Sequence, residues 1–502
     1  MAEDITQEEF VQRVQRLGPP AEIIQVSDTI WELPTSYKKG MNVPARMYAT
    51  NGIMQAMDAG VFEQVTNVAS LPGIQKYAFC MPDGHWGYGF PIGGVAAFDP
   101  AQGGVISPGG IGFDINCGMR LIVTNLTIDE VKPRIKEIVD SLYKAVPAGV
   151  GCQGFVKISK EEFVNVMRDG AQWCVKNGYA WPEDIEHIED QGRITFADPS
   201  KVSDKAVKRG FDQIGTLGSG NHYLEIQEVR EGMIFDAETA RAFGITKVGQ
   251  IVIMVHCGSR GFGHQIGTDY LKVFLEMMPT YGIAVLDKEL ACAPFNSKEG
   301  QDYYGAMACA ANMAFANRQV ITHRIREVFS KIFGKDAKEL GMKLVYDVAH
   351  NIAKVEKYKI DGVEKDLVVH RKGSTRAFGP NRSAELPAEY RKFGQPVILG
   401  GSMETGSYLL AGMDGSEETF CSTAHGSGRT MSRTQAKREV RGDQLQKDME
   451  KRGIYVHAVT MAGLAEEAGR AYKDVDEVVD ALEKAGITRR VVALKPIGNV
   501  KG

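Results

Sequence analysis

The chain has 502 residues, 43% of them hydrophobic and 24% charged, with a formal net charge of -4. This is an ordinary globular composition, long enough for a large core. No apolar run approaches the roughly 20 residues needed to cross a bilayer, the acidic start Met-Ala-Glu-Asp-Ile-Thr does not read as a secretory leader, and a cytoplasmic protein is expected. The negative charge argues against indiscriminate nucleic-acid binding, though not against a local basic groove. Eight scattered cysteines without a Cys-x-x-Cys pair exclude a disulfide framework and a zinc ribbon.

In chain order, apolar spacing predicts amphipathic helices over 6–17, 128–146, 311–334 and 462–486. Short β-branched runs predict strands at 250–255, 343–349, 366–370 and 396–399. The two kinds do not alternate regularly enough for a doubly wound sheet, so the expected class is mixed α+β. Glycines cluster at 84–94, 103–118, 215–220, 258–263, 400–406 and 426–428. No linker, charge block or repeat divides these clusters, and residues 1–502 read as one catalytic body. Taken singly, each cluster is as readily ordinary turn chemistry.

Candidate ligands sit beside those glycines. His256 follows Ile-Val-Ile-Met-Val, His350 follows Leu-Val-Tyr-Asp-Val-Ala, and His222 lies in Gly-Ser-Gly-Asn-His-Tyr-Leu-Glu. A strand end entering a loop is where a scaffold presents functional groups. Asp114 and Cys117 stand three apart in a glycine-rich segment, a spacing that lets both face one point. Thiolate, carboxylate and imidazole together suit Zn, Mn, Fe or Co rather than Ca. A lone buried cysteine is usually a small hydrophobe, so the weight rests on the set of five. No His-Glu-x-x-His is present, which disfavours a metalloprotease.

Neither a Walker loop nor a Rossmann fingerprint occurs, since Pro91 interrupts Gly87-Tyr-Gly-Phe-Pro-Ile-Gly93. Lys359-Ile-Asp-Gly362 matches the Lys-x-Asp-Gly of lysine-dependent nucleotidyl transferases, but Asp-Gly between two alternating runs is a hairpin signal, and the turn is the favoured reading. His425 heads His-Gly-Ser-Gly-Arg, with Arg429 and Arg433 close behind. Freely placed N–H donors and cations suit phosphate, and an imidazole held there can attack phosphorus. A structural histidine before a helix start explains the residues equally well. Basic residues at 429, 433, 437, 438 and 441 are candidates for an RNA groove or, as readily, a solvated helix face.

These motifs together resemble the RtcB-type tRNA-splicing RNA ligases in an archaeal-looking, intein-free form. The matching segments are Met-Pro-Asp83-Gly-His85-Trp-Gly-Tyr-Gly-Phe-Pro-Ile-Gly-Gly, Gly-Phe-Asp114-Ile-Asn-Cys117-Gly, Gly-Ser-Gly-Asn221-His222-Tyr-Leu-Glu225, Val-His256-Cys-Gly-Ser-Arg260, Ala-His350-Asn351, His370-Arg-Lys-Gly, Gly401-Ser402-Met403, His425-Gly-Ser-Gly-Arg429 and the closing Pro-Ile-Gly-Asn-Val-Lys501. The resemblance implies an RtcB-like fold and a two-manganese site bridged by Cys117, with Asp114 and His222 on one ion and His256 and His350 on the other. It also implies GTP as cosubstrate and covalent guanylylation of His425, and it places Asn221, His222, Tyr223, Leu224, Glu225, His350, Asn351, Gly400, Gly401, Ser402, Met403, Ser407, the 425–428 backbone (His425, Gly426, Ser427 and Gly428) and Lys501 around the guanylate. Asp83, Arg260 and Arg429 fall at phosphate or RNA positions. Expected partners are tRNA halves with 2',3'-cyclic phosphate or 3'-phosphate and 5'-hydroxyl ends, and an archease-type activator. Gly84 and Glu404 depart from the usual family pattern, Val and Gly respectively. The competing functions are a metal-dependent cyclic phosphoesterase that does not join RNA and a non-enzymatic RNA-binding scaffold.

Overall fold

The computed structural model describes residues 17–502, and the helix expected over 6–17 lies essentially outside them. Two large sheets with flanking helices make a mixed α+β architecture, as expected. The first has seven strands in the order Ile24–Ser27, Ile30–Leu33, Ala45–Tyr48, Ala78–His85, Ile92–Phe98, Val363–Lys372 and Asn351–Ile360. The second runs Lys343–Ala349, Gly118–Thr127, Gln250–Cys257, Tyr223–Glu228, Thr488–Lys501, Ser407–Gly412 and Pro396–Leu399, with Tyr455–Ala458 parallel to the end of Thr488–Lys501. A continuous run such as Gln250–Cys257 is buried at every position, which is why it reads as apolar rather than alternating.

The expected strands are all present, two of them longer than their apolar cores: 250–255 is Gln250–Cys257 and 366–370 is Val363–Lys372. Helix ends differ more. The helix expected over 311–334 spans Lys298–Phe333, because Ser297 caps it through the Gly300 N–H and an alanine-rich first half continues the turn. The 128–146 pattern breaks into Ile128–Val131 and Ile135–Ala145 around Pro133, which cannot donate to a preceding carbonyl. The 462–486 pattern is two helices, Met461–Glu466 and Val475–Lys484, since residues 467–474 leave the helix at Glu467 and Asp474 starts the next by capping Asp476.

One apolar core runs from Trp31 to Val500 through both sheets. A small second cluster of Met403, Leu445, Met449, Ile454, Val456, Leu464 and Ala468 gathers the helices Gly442–Lys451 and Met461–Glu466 around a loop of the main body. No helix among the described residues is long and apolar enough to cross a membrane.

Candidate active site

The second sheet assembles the five ligand candidates at one edge. Cys117 directly precedes Gly118–Thr127, His222 precedes Tyr223–Glu228, His256 is next to last in Gln250–Cys257, and His350 follows Lys343–Ala349. These neighbours are antiparallel, so the beginnings of two strands and the ends of two others share that edge: Gly118 lies opposite both Ala349 and Cys257, and Tyr223 opposite His256. The Cys117 Sγ is 3.3 Å from His222 Nε2 and 3.2 Å from His256 Nε2, and His256 Nε2 is 3.2 Å from His350 Nε2. Asp114 Oδ2 lies 2.8 Å from His222 Nε2, on a turn closed by the Cys117 N–H donating to the Asp114 carbonyl.

Two groups result, Cys117 with His256 and His350, and Asp114 with Cys117 and His222, sharing the thiol. The donors fit a pair of borderline divalent cations. Nδ1 of His222 and of His350 is buried without a hydrogen-bond partner among the described residues, while the Nε2 atoms converge on one another. Burial keeps His256 and His350 far below the ordinary imidazole value, so both are neutral, the form that ligates. Burial and then the Asp114 carboxylate push the Cys117 thiol far up, so a thiolate here requires a cation beside it. Burial alone raises Asp114, but His222, His264 and Arg260 outweigh it and hold the carboxyl below its usual range.

His425 comes from a different part of the fold. Ser422–Ala424 pairs with Ser374–Arg376, and the chain then turns so that Gly426 bridges to Gly400, just past Pro396–Leu399 of the second sheet. Asp83, fully buried in Ala78–His85 of the first sheet, accepts from both the His425 N–H at 3.1 Å and Nδ1 at 2.6 Å through one oxygen, Oδ2. A carboxylate on Nδ1 makes that nitrogen the protonated one and leaves Nε2 with its lone pair. The His425 ring is 4.6 Å from the His350 ring, which joins the histidine to the ligand set. The following backbone is pinned twice: the Ser427 N–H donates to the Gly400 carbonyl at 2.9 Å, and Gly428, at φ +74°, packs so tightly that a Cβ there would stand 2.1 Å from the Asp83 carbonyl oxygen.

Ligand set and histidine open on one cavity of about 490 Å³, within the roughly 300–1,000 Å³ of small-molecule sites. Its wall includes Asn221, His222, Tyr223, Asn351, Gly400, Gly401, Ser402, Met403, the 425–428 turn, Lys501, Arg260 and Arg429. Three expected guanylate residues lie behind that wall instead. Leu224 is core. Glu225 accepts from Asn499 and Gln227, and burial lifts its carboxyl to about 7. Ser407 accepts from the Gly401 N–H at 3.4 Å and from Gln227. Asp83 likewise does not line the cavity, and its carboxylate acts there through His425.

Of the candidate groove residues, most carry partners. Arg429 binds Glu467 and Tyr472, Arg433 lies 3.6 Å from Glu467, Lys437 binds Glu466, and Arg441 binds Asp443 beyond the end of the Arg433–Glu439 helix. They form a paired network more than an open cationic strip. Lys359 is exposed on a hairpin between Asn351–Ile360 and Val363–Lys372, whose turn, Asp361 and Gly362, has positive φ at both residues and thus the two-residue geometry its sequence predicts.

The two departures have local causes. A side chain at Gly84 would put its Cβ 2.4 Å from the Cys80 Sγ, so the small residue is matched to its neighbour. Glu404 leaves the cavity side entirely: it accepts from the Gly469 N–H at 2.7 Å and from Arg452, tying the 400–406 loop to the small second cluster that Met403 enters. Several cavity residues escaped the sequence reading. His85, Tyr88, Phe113 and Lys372 stand inside segments already singled out, but Glu467 and Tyr472 have no local signal and reach the wall only through the tertiary fold.

Fold and cavity together define an α+β enzyme with a side-chain set able to ligate metals next to a carboxylate-oriented histidine. The model of the family "tRNA-splicing ligase RtcB" matches residues 64–502. Curated relatives called tRNA-splicing ligase RtcB include those of Archaeoglobus fulgidus, 52% identical over 95% of this chain and 98% of the relative, Methanococcus maripaludis, 51% identical over 96% and 99%, and Thermococcus kodakarensis, 52% identical over 94% and 97%. The chain belongs to the tRNA-splicing ligase RtcB family, a family of RNA ligases.

Proposed function

We propose that this protein is a GTP- and manganese-dependent RNA ligase that joins 2',3'-cyclic phosphate or 3'-phosphate ends to 5'-hydroxyl ends, with tRNA halves and broken RNAs as substrates. The observation that carries the reading is the Asp83–His425 contact at 2.6 Å in a cavity shared with Cys117 and three histidines. With Nδ1 engaged, His425 Nε2 attacks the α-phosphorus of GTP. A P–N bond forms, the bond to the β-phosphate oxygen breaks, and pyrophosphate leaves. Asp83 stabilises the imidazolium character that develops. An oxygen of the RNA 3'-phosphate, released from the cyclic form by water, then takes the guanylyl group and frees His425. The 5'-hydroxyl oxygen of the second strand finally displaces GMP.

Asp114, Cys117, His222, His256 and His350 would hold two manganese ions, with Cys117 shared. Bound there, the ions supply Lewis-acid neutralisation of phosphate charge. Arg260 and Lys501 add positive charge, and the Gly426 and Gly428 N–H groups add donors, those of His425 and Ser427 being taken by Asp83 and Gly400. Guanine presents N1–H and 2-amino donors that adenine lacks, and the buried Glu467 carboxylate, on the cavity wall beside Lys501, is an acceptor that suits them. We take residues 1–502 as one catalytic unit, which the core shared by both sheets supports, and an archease-type activator as its partner on the strength of family membership.

The test is transfer of label from α-labelled GTP to protein with manganese, followed by joining of 5'-hydroxyl and cyclic-phosphate RNAs. Label on His425 and a longer RNA product are expected. Hydrolysis to 3'-phosphate without joining would instead identify a phosphoesterase.

A further inference from the structure

We propose that Tyr88, Phe113 and His264 form a stacking ridge for the unpaired nucleotides of an RNA end, separate from the end of the cavity that takes the nucleotide. The inference rests on the reading above that the protein acts on RNA. All three rings line the cavity. Tyr88 meets Phe113 edge to face at 5.1 Å, and Phe113 lies nearly parallel to His264 at 6.1 Å and 15°. Core rings such as Phe79 and Phe90 are fully buried, whereas Tyr88 and Phe113 are half-buried and His264 is exposed, so ring surface is presented toward the cavity mouth.

The supports are stiff. Gly89, next to Tyr88, donates its N–H to the Glu289 carboxylate at 2.8 Å. His264 stands on the helix Arg260–Met277, and Phe113 packs against Gly267 of the same helix, where a Cβ would already be 3.2 Å from the ring. Rigid aromatic faces beside a phosphate-handling site match what an unpaired base needs, since every base has a π-face and stacking is tolerant of sequence. Bases within a duplex offer no such face. Position also favours RNA over a protein partner: the three rings share one cavity with His425 and the ligand set, and Phe113 directly precedes Asp114, so a strand stacked on the ridge has its terminal phosphate beside the groups that handle phosphate.

The experiment compares the full-length wild type with Tyr88→Leu, His264→Leu and the double variant, and with Tyr88→Phe and His264→Phe as aromatic controls. Fluorescence anisotropy reads binding of short RNAs carrying an unpaired 3'-phosphate end, an unpaired 5'-hydroxyl end, or the same ends in a blunt duplex. Each leucine is expected to weaken unpaired RNA about tenfold, the phenylalanines to restore it, duplex binding to change little, and the salt dependence of the Tyr88→Leu complex to keep its slope, because no charge is removed. Loss confined to one unpaired end says which strand uses the ridge. Labelling of His425 from GTP is expected at the wild-type level for Tyr88→Leu, and a parallel fall in labelling by that variant would show that the rings merely shape the nucleotide site and overturn the proposal; His264, which helps hold Asp114 ionised, is read through RNA binding alone. Unchanged affinity for both unpaired ends, or equal loss for duplex, would overturn it as well. Anisotropy needs no turnover, so it reports on the ridge even if the guanylylation reading itself fails.

Discussion

Two regions of this molecule carry a pattern associated with nucleotidyl transfer, and they differ in everything except the pattern. At Lys359 the side chain is exposed, the neighbouring Asp361 and Gly362 form a tight turn, and the cross-strand partner is the exposed Glu364. At His425 the ring is held through Nδ1 by a fully buried carboxylate, the backbone is pinned by Gly400 and packed on Asp83, and three further histidines and a thiol lie within a few side chains. A motif identifies residue types, but reactivity requires desolvation, orientation and a place for the departing charge, and only the second region supplies them.

The largest expected effect breaks the comparison outright. His425→Ala should lower protein labelling from α-labelled GTP by about 10⁴-fold or more, the scale of removing a nucleophile, while Lys359→Ala leaves it at the wild-type level. The opposite pattern would make Lys359 the nucleotide carrier. Asp83→Asn is the next step down. The amide keeps the shape but favours the wrong tautomer and no longer stabilises the cation, so single-turnover labelling should fall about 10³-fold with GTP affinity little changed. A loss confined to KM would mean that Asp83 serves binding rather than the orientation of His425.

Much of this contrast is legible in the sequence alone. Asp114, Cys117, His222 and His256 sit where a glycine cluster meets an apolar run and His350 ends an apolar run, and antiparallel pairing of Gly118–Thr127 with Lys343–Ala349 and Gln250–Cys257 is what turns those separate junctions into one edge. The Asp-Gly turn is legible because its signal is local. The Asp83–His425 pairing is not, for it joins residues 342 positions apart, one in a strand of the first sheet and the other in the turn after Ser422–Ala424. Glu467 and Tyr472 are hidden for a related reason: the spacing over 462–486 reads as one helix, and only the break at 467–474 turns both residues into the cavity. Helix ends fail where a proline or a cap overrides a periodicity that continues through it, as at Pro133 and Asp474.

A smaller effect tests how the His425 region is braced from outside. The loop carrying Gly401 and Ser402 is fixed to the second apolar cluster by Met403 and by the two contacts of Glu404. Removing a hydrogen bond to backbone and a partly exposed ion pair frees a loop already near its bound shape, at a cost on the order of 1 kcal/mol. Glu404→Gly should therefore raise the KM for GTP about fivefold while the single-turnover rate at saturation holds. Glu404→Gln, which keeps an acceptor for Gly469, should fall between. A reduced rate at saturation would place the loop in the chemistry rather than in binding.

The smallest effect belongs to the hairpin, and there the expectation is a stability change without a functional one. Gly362 has φ +82°, and a Cβ added there would meet nothing within 4 Å, so Gly362→Ala brings backbone strain but no clash. That strain amounts to about 1 kcal/mol, enough to lower the thermal midpoint by a few degrees at most in a chain of this size. Because the turn is exposed and its strands are anchored through Val363–Lys372 pairing with Ile92–Phe98, the perturbation should stay local and leave both GTP labelling and RNA joining intact. Loss of either would mean that the turn communicates with the cavity through the strand carrying Asn351, whose amide already bridges the Asp114 carbonyl and the Gly373 N–H.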